Sequence, residues 1–301
     1  MEKLVTVLLP IYNGQRFITE MLNSIYFQDY RPLEIIITDD ASTDKTSAMV
    51  CRWLKGKSRD DISFKYIRNE ENRGLSGNIS NAVRYIHGAY LFLADQDDVW
   101  KKNKISAQVG YLEKNDDCEM CVCDRSVIND KGKVVCGSLM RYEHRTAQKR
   151  SYQDVLNRSI CYSSNCLCLK TEHLDHIFPI PDKICEHDTF IAIMVAHYGK
   201  IGYIRKPLTM YRIHEDNLSG NYALETTPTL FKLFRVIIKN FRRINRREEI
   251  DPILIQEALK ARFNEKNVQF SKALYPGRIE KLYFASFCYI WNNLDRWKRF
   301  I

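Results

Sequence analysis

Three carboxylates, Asp95, Asp97 and Asp98, fall within four positions of the stretch LFLADQDDVW, directly behind an apolar run. Gathered with nothing between them, such like charges are costly. One use that relieves the cost is a solvated acidic turn that caps the helix after it. The other is a divalent cation, since Mg²⁺ and Mn²⁺ favour hard carboxylate oxygens and bridge readily to phosphate oxygens. Three aspartates immediately behind a buried strand favour the cation. Neither G-x-G-x-x-G nor G-x-x-x-x-G-K-[ST] occurs in the chain, so no dinucleotide cofactor or P-loop is indicated. Phosphates, if bound, are held through a metal.

The elements that must position these residues alternate through the first hundred positions. VTVLLP reads as a buried strand, FITEMLNSIYFQ has helical spacing, and LEIIITD is a second strand. DKTSAMVCRWL, ISFKYIR, GNISNAVRYI and YLFLAD continue as helix, strand, helix, strand. Strict alternation implies an α/β fold with a mostly parallel sheet covered on both faces. Ligands of such sheets bind beyond the carboxyl ends of the strands. Tyr12 and Asn13, Asp39 and Asp40, and Asp95, Asp97 and Asp98 all fall at those ends, so they are expected to form one site. After about residue 117 the segments shorten (CEMCVCDRSVI, ICYSSNCLCLK), a helix is expected in DTFIAIMVAHYG, and the loop YRIHEDNLSG follows.

Composition sets the outer bounds. With 301 residues, 45% of them hydrophobic, the chain is long enough for a full core. No apolar run reaches the ~18 residues of a spanning helix. LVTVLLPIY has a signal-like apolar stretch without a small-residue cleavage site, so it reads as a strand and places the chain in the cytoplasm. The ten cysteines form no spaced disulfide framework. Cys118, Cys121 and Cys123 begin like zinc ligands, but the C-x-x-C…C-x-x-C arrangement is missing, and packing as small apolar side chains is expected. The net charge of +9 is uneven: residues 225–301 hold 16 Lys and Arg against 8 Asp and Glu, while the body is near neutral.

The set LLPIYNGQ, IIITDDASTD, NRGLSGNISNAV, LFLADQDDVW, EHD and YRIHEDNLSG, in this order, resembles family 2 glycosyltransferases of the GT-A fold over roughly residues 3–220. The likeness is strongest to the bacterial branch of rhamnosyltransferases and related enzymes of cell-surface polysaccharide synthesis. The resemblance implies a Rossmann-like GT-A domain over residues 1–224; beyond it, the charge and the spaced aromatics of 225–301 read as a basic, amphipathic helical extension. It places Pro10, Tyr12 and Asn13 at the nucleotide, with the Tyr12 ring stacked on the base. Asp40 would accept the imide N–H of uracil or thymine, and Arg73 would lie beside the nucleotide. Either Asp39 or Asp40 is also suited to cap the next helix. Asp95 is assigned to the ribose and Asp97 to Mg²⁺ or Mn²⁺, with Asp98 an alternative metal ligand. Asp188 aligns with the base that takes the acceptor proton, and it also suits a helix N-cap. Arg212 and His214 are placed on the donor diphosphate or its metal. Ser164, Asn165 and Glu186 are the acceptor-side candidates.

The activity so implied is inverting transfer from a dTDP- or UDP-sugar, dTDP-rhamnose first, to a hydroxyl of a growing glycan, with glycans carried on a polyprenyl diphosphate among the acceptors expected. The tail would touch the inner face of the cytoplasmic membrane. Two rivals fare worse. A sugar-phosphate nucleotidyltransferase needs a glycine-rich, basic loop where PIYNGQRF has a single glycine. A nucleic-acid-binding protein would show a recognition motif beside NFRRINRR, and none is visible.

Overall fold

The structure, a computed structural model, describes residues 2–142, 150, 151, 155, 163–181, 187–214 and 217. The chain divides into two compact units. The first, Met1–Tyr152 with Tyr162–His214, carries the elements described below. The second holds residues 153–161 and 215–301, so the basic extension and its membrane role lie outside the described residues.

The first half follows the alternation. β1 (Val5–Ile11) and β2 (Leu33–Asp39) are buried along their whole length, as strands covered on both faces must be. α1 (Ile18–Tyr26) buries Ile18, Met21, Leu22 and Ile25, the i, i+3, i+4, i+7 stripe of an amphipathic helix. α2 (Thr46–Lys55), β3 (Ile62–Arg68), α3 (Gly74–Ala82) and β4 (Tyr90–Leu93) complete this half. β1 pairs in parallel with both β2 and β4, and β2 with β3. Ile11 lies opposite Asp39, and Leu8 opposite Leu93. That register brings Tyr12, Asp40 and Asp95 out at one end of the sheet.

The second half adds β5 (Val99–Trp100), α4 (Lys104–Glu113), β6 (Cys118–Ile128), β7 (Val134–Cys136), α5 (Leu139–Tyr142), β8 (Leu167–Lys170), α6 (Leu174–Ile177), α7 (His187–Ala196) and β9 (Lys200–Arg212). The sheet runs β3-β2-β1-β4-β8-β6-β9-β5, with β7 on the side of β6. β8 is antiparallel to both β4 and β6, β9 is parallel to β6, and β5 is antiparallel to β9. The sheet is therefore parallel where strand and helix alternate and mixed beyond.

Cys118, Cys121, Cys123, Cys166 and Cys168 are buried free thiols, with Cys121 directly opposite Cys168. They are more than apolar filler. The fully buried Lys104 sets its Nζ 3.6 Å from the Cys123 sulfur and 2.5 Å from Gln108 Oε1. Burial alone would raise the Cys123 thiol, but the hydrogen bond from Cys166 and the Lys104 ammonium bring it down to about 6.

A buried amide network ties α3 to the sheet. Asn78 Nδ2 donates to the Thr38 carbonyl at 2.9 Å, and its Oδ1 accepts from Thr38 Oγ1 at 2.6 Å and Asn69 Nδ2 at 2.9 Å. Asn78→Ala takes a buried hydrogen bond from each of these partners, so it is expected to cost about 1–3 kcal/mol. A thermal melt reads this directly, and an unchanged midpoint refutes it.

Candidate active site

The loops behind β1 and β2 are held by side-chain-to-backbone bonds. Asn13 has φ 49°, the left-handed region that asparagine tolerates better than most residues. Its Oδ1 accepts the N–H groups of Thr43 (2.8 Å) and Asp44 (3.3 Å), and its own N–H donates to Ser42 Oγ at 3.1 Å. The two neighbouring aspartates divide the work. Asp39, fully buried, accepts from the Ser42 N–H, Ser47 Oγ and the Tyr66 hydroxyl. Burial would raise its pKa, but these bonds outweigh it and hold the carboxyl below its usual range. Asp40 instead faces the next loop, where its Oδ1 accepts Asn69 Nδ2 (2.9 Å) and the Arg73 N–H (2.8 Å). Capping of α2 falls to neither: Asp44 Oδ1 accepts the Thr46 N–H at 2.8 Å. Tyr12 stays 43% exposed, its ring open to a partner, and the Arg73 side chain is also exposed. Pro10 lies inside β1, opposite Thr38.

The carboxylate loop follows β4. Asp98 is fully buried and engaged at both oxygens: Oδ1 accepts the Arg212 N–H at 2.9 Å, and Oδ2 accepts Asn165 Nδ2. Asp97 Oδ2 lies 2.9 Å from His214 Nε2. Asp95 Oδ1 accepts Ser164 Oγ at 3.0 Å. Between the aspartates, Gln96 turns back to Tyr12. Arg212, 1% exposed, braces the whole loop. Its Nε donates to the Asp97 carbonyl at 2.8 Å, its guanidinium pairs with Glu20 at 2.5 Å, and it lies 4.5 Å from the centre of the Phe17 ring.

The helix that carries Asp188 comes to the same place. Asp188 stands in the first turn of α7, where its Oδ1 accepts the Thr189 N–H at 2.7 Å. Burial first, then the charges of Asp97 and Asp188, push Asp95 up to about 6, against the lowering influence of His187 and Ser164. Asp98 is raised well above its usual range by burial and by Asp97 and Asp95. His187 is lowered by burial, with Asp95 pulling the other way. Burial and neighbouring carboxylates thus disfavour the charged forms of Asp95 and Asp98, and Asp97 and Asp188 lie close enough to Asp95 to act on it.

Of the expected residues, the structure gathers Asp95, Asp97, Asp98, Ser164, Asp188, Arg212 and His214, and sets Tyr12, Asn13 and Asp40 on the adjoining loops. Three assignments change on geometry. Asp98, the alternative metal ligand, is fully buried with both oxygens taken by the Arg212 N–H and Asn165 Nδ2, so it supports the loop from within. Asn165 is fully buried against Asp98, so it supports the carboxylate loop and does not face an acceptor. Arg212 is committed to Glu20 and to backbone carbonyls, so it braces the loop where phosphate neutralisation was expected. Glu186 lies outside the described residues. Gln96, Glu20 and Phe17 were not singled out from the sequence. Only the place of Gln96 inside the aspartate cluster pointed to it.

Comparisons with known proteins bear on the family and the fold. The family model described as "Glycosyl transferase family 2" matches residues 6–212. The chain is 29% identical over 232 residues to the putative teichuronic acid biosynthesis glycosyltransferase TuaG of Bacillus subtilis, covering 76% of this chain and 86% of that protein. It is 30% identical over 112 residues to the UDP-Glc:alpha-D-GlcNAc-diphosphoundecaprenol beta-1,3-glucosyltransferase WfgD of Escherichia coli, 37% of this chain and 42% of that enzyme. Among solved structures, the mannosyltransferase PcManGT of Pyrobaculum calidifontis, in complex with GDP-Man and Mn²⁺, aligns with a TM-score of 0.57 at 20% identity, covering 95% of this chain and 79% of that one. At that identity the likeness speaks for the fold, which is the GT-A fold. From Thr6 at the head of β1 to Arg212 at the end of β9, the match spans the described sheet, and the chain belongs to glycosyl transferase family 2.

Proposed function

We propose that this glycosyltransferase moves a sugar from a UDP- or dTDP-linked donor to a hydroxyl of a growing cell-surface glycan, with inversion at the anomeric carbon. The observation that carries the reading is the convergence of Asp95, Asp97 and Asp188, from two separate segments, around one electronegative point. The relative from E. coli, whose name gives a UDP-Glc donor and a diphosphoundecaprenol-linked acceptor, supports this substrate class. dTDP-rhamnose and UDP-hexoses both remain within it, because uracil and thymine present the same imide N–H.

In this reading the Tyr12 ring stacks on the base. Asp40 accepts the imide proton; among the described residues its side-chain bonds, from Asn69 and Arg73, fall on Oδ1, and Oδ2 is the atom assigned to the ligand. Asp95, steadied by Ser164, takes the ribose hydroxyls. The donor set also fits a divalent ion. Asp97 and His214 offer a carboxylate oxygen and an imidazole nitrogen side by side, a pair that suits Mn²⁺ or Mg²⁺ completed by phosphate oxygens. Asp98, closed off by Asn165 and the Arg212 N–H, holds the loop that presents Asp97. When bound, the ion supplies charge neutralisation at the diphosphate. Asp188 takes the proton of the acceptor hydroxyl as its oxygen bonds to the anomeric carbon and the bond to the diphosphate breaks.

Donor hydrolysis across UDP-, dTDP- and GDP-sugars tests the assignment. One pyrimidine-linked sugar is expected to release its nucleoside diphosphate fastest, with GDP-sugars at background. Fastest release from a GDP-sugar would remove Asp40 from the proposed role.

A further inference from the structure

The Gln96 side chain grips the backbone of Tyr12 at two points. The Tyr12 N–H donates to Gln96 Oε1 at 2.9 Å, and Gln96 Nε2 donates to the Tyr12 carbonyl at 2.9 Å. A primary amide offers one acceptor and two donors in a plane, so it can match the N–H and the C=O of one residue together. The residues joined are 84 positions apart. One is the exposed aromatic behind β1; the other sits between Asp95 and Asp97. A second, independent feature shows that room is kept for this amide. A Cβ on Gly14 would lie 2.3 Å from Gln96 Oε1 and 2.6 Å from its Cδ. The absence of a side chain at position 14 is what lets the amide lie flat on this loop.

We propose that Gln96 is a positioning residue that couples the nucleobase loop to the metal-binding loop, so that occupancy of either site raises the affinity of the other. The inference rests on the placement of the base at Tyr12 and the metal at Asp97 proposed above. Ordering Asp97 around a cation fixes Gln96 one residue away. Gln96 in turn fixes the Tyr12 backbone and the ring that it carries. Coupling of this kind is reciprocal, because both ligands bias the same pair of loops.

A nucleoside separates this route from the trivial one. A nucleoside diphosphate touches the metal through its own phosphates, whereas uridine or thymidine lacks phosphates and reaches the metal only through the protein. The experiment is calorimetric titration of the full chain with the nucleoside that matches the preferred donor, with and without saturating Mn²⁺. For the unaltered protein, Mn²⁺ is expected to tighten nucleoside binding by about fivefold or more. Gln96→Ala is expected to bring the effect below about twofold. Gly14→Ala keeps Gln96 but displaces its amide, and the same loss is expected. Circular dichroism and a Mn²⁺ titration of each variant establish that it is folded and still binds metal. Equal nucleoside affinity with and without Mn²⁺ in the unaltered protein overturns the coupling and leaves the site assignment standing. Coupling that survives in both variants overturns the role of Gln96. Failure of the unaltered protein to bind the nucleoside overturns the base placement, and the inference with it.

Discussion

Asp188→Asn is expected to lose roughly 10²–10⁴-fold in turnover while nucleotide affinity stays near that of the unaltered enzyme, since that is the usual worth of a positioned general base. The amide keeps the shape of the carboxylate, and its oxygen can still accept the Thr189 N–H that fixes the residue in the first turn of α7. Folding should therefore be preserved, and the loss should fall on the chemical step. Steady-state kinetics with a nucleotide-binding titration separate the two effects. A variant that turns over normally moves the proton transfer away from Asp188. A variant that also loses the nucleotide shows that the residue acts through structure.

Removal of divalent metal is expected to have an effect of similar size. Burial first, and then the Asp97 charge, push both Asp95 and Asp98 upward, so the ionised carboxylates are disfavoured until a cation offsets them. A donor diphosphate adds further negative charge at the same point. Neutralising that charge is worth several kcal/mol in the transition state, on the order of 10²-fold or more in rate. Stripping the enzyme and assaying it in excess chelator should abolish measurable turnover, and added Mn²⁺ or Mg²⁺ should restore it. Asp97→Asn should weaken Mn²⁺ binding in a direct titration, without substrate. Full activity in chelator would refute the metal assignment.

Much of this was legible in the sequence because the strongest signals were local. β1, β2 and β4 are short, mostly apolar segments, and α1 has a clear helical stripe, so the parallel half could be read from local pattern alone. The position of the polar residues at the strand ends followed from the same rule. What could not be read were pairings between distant segments. β8 inserts antiparallel between β4 and β6, and no local pattern marks that choice. The chemistry of a side chain also did not reveal its partner. An arginine next to a histidine on a loop looks like a phosphate ligand, yet Glu20, 192 positions away, claims Arg212. Asn165 was an acceptor candidate because CYSSNCLCLK resembles the family's acceptor-facing segment, but the turn at Ser164–Cys166 sends it inward to Asp98.

The Arg212 brace also bears on the order in which the molecule can assemble. During synthesis from the N-terminus, β1 to β4 can pair as soon as they emerge, for their partners lie within the first hundred residues. The aspartate loop cannot be completed then. β5 pairs with β9, and Asp98 takes the backbone N–H of the last residue of β9. Long-range pairings of this kind pay their loop-closure entropy late, and the unpaired edge stays exposed until they form. Ser164 and Asn165 reach Asp95 and Asp98 first, and the Arg212 brace comes only with β9, so the aspartate loop is among the last parts of the sheet to become fixed.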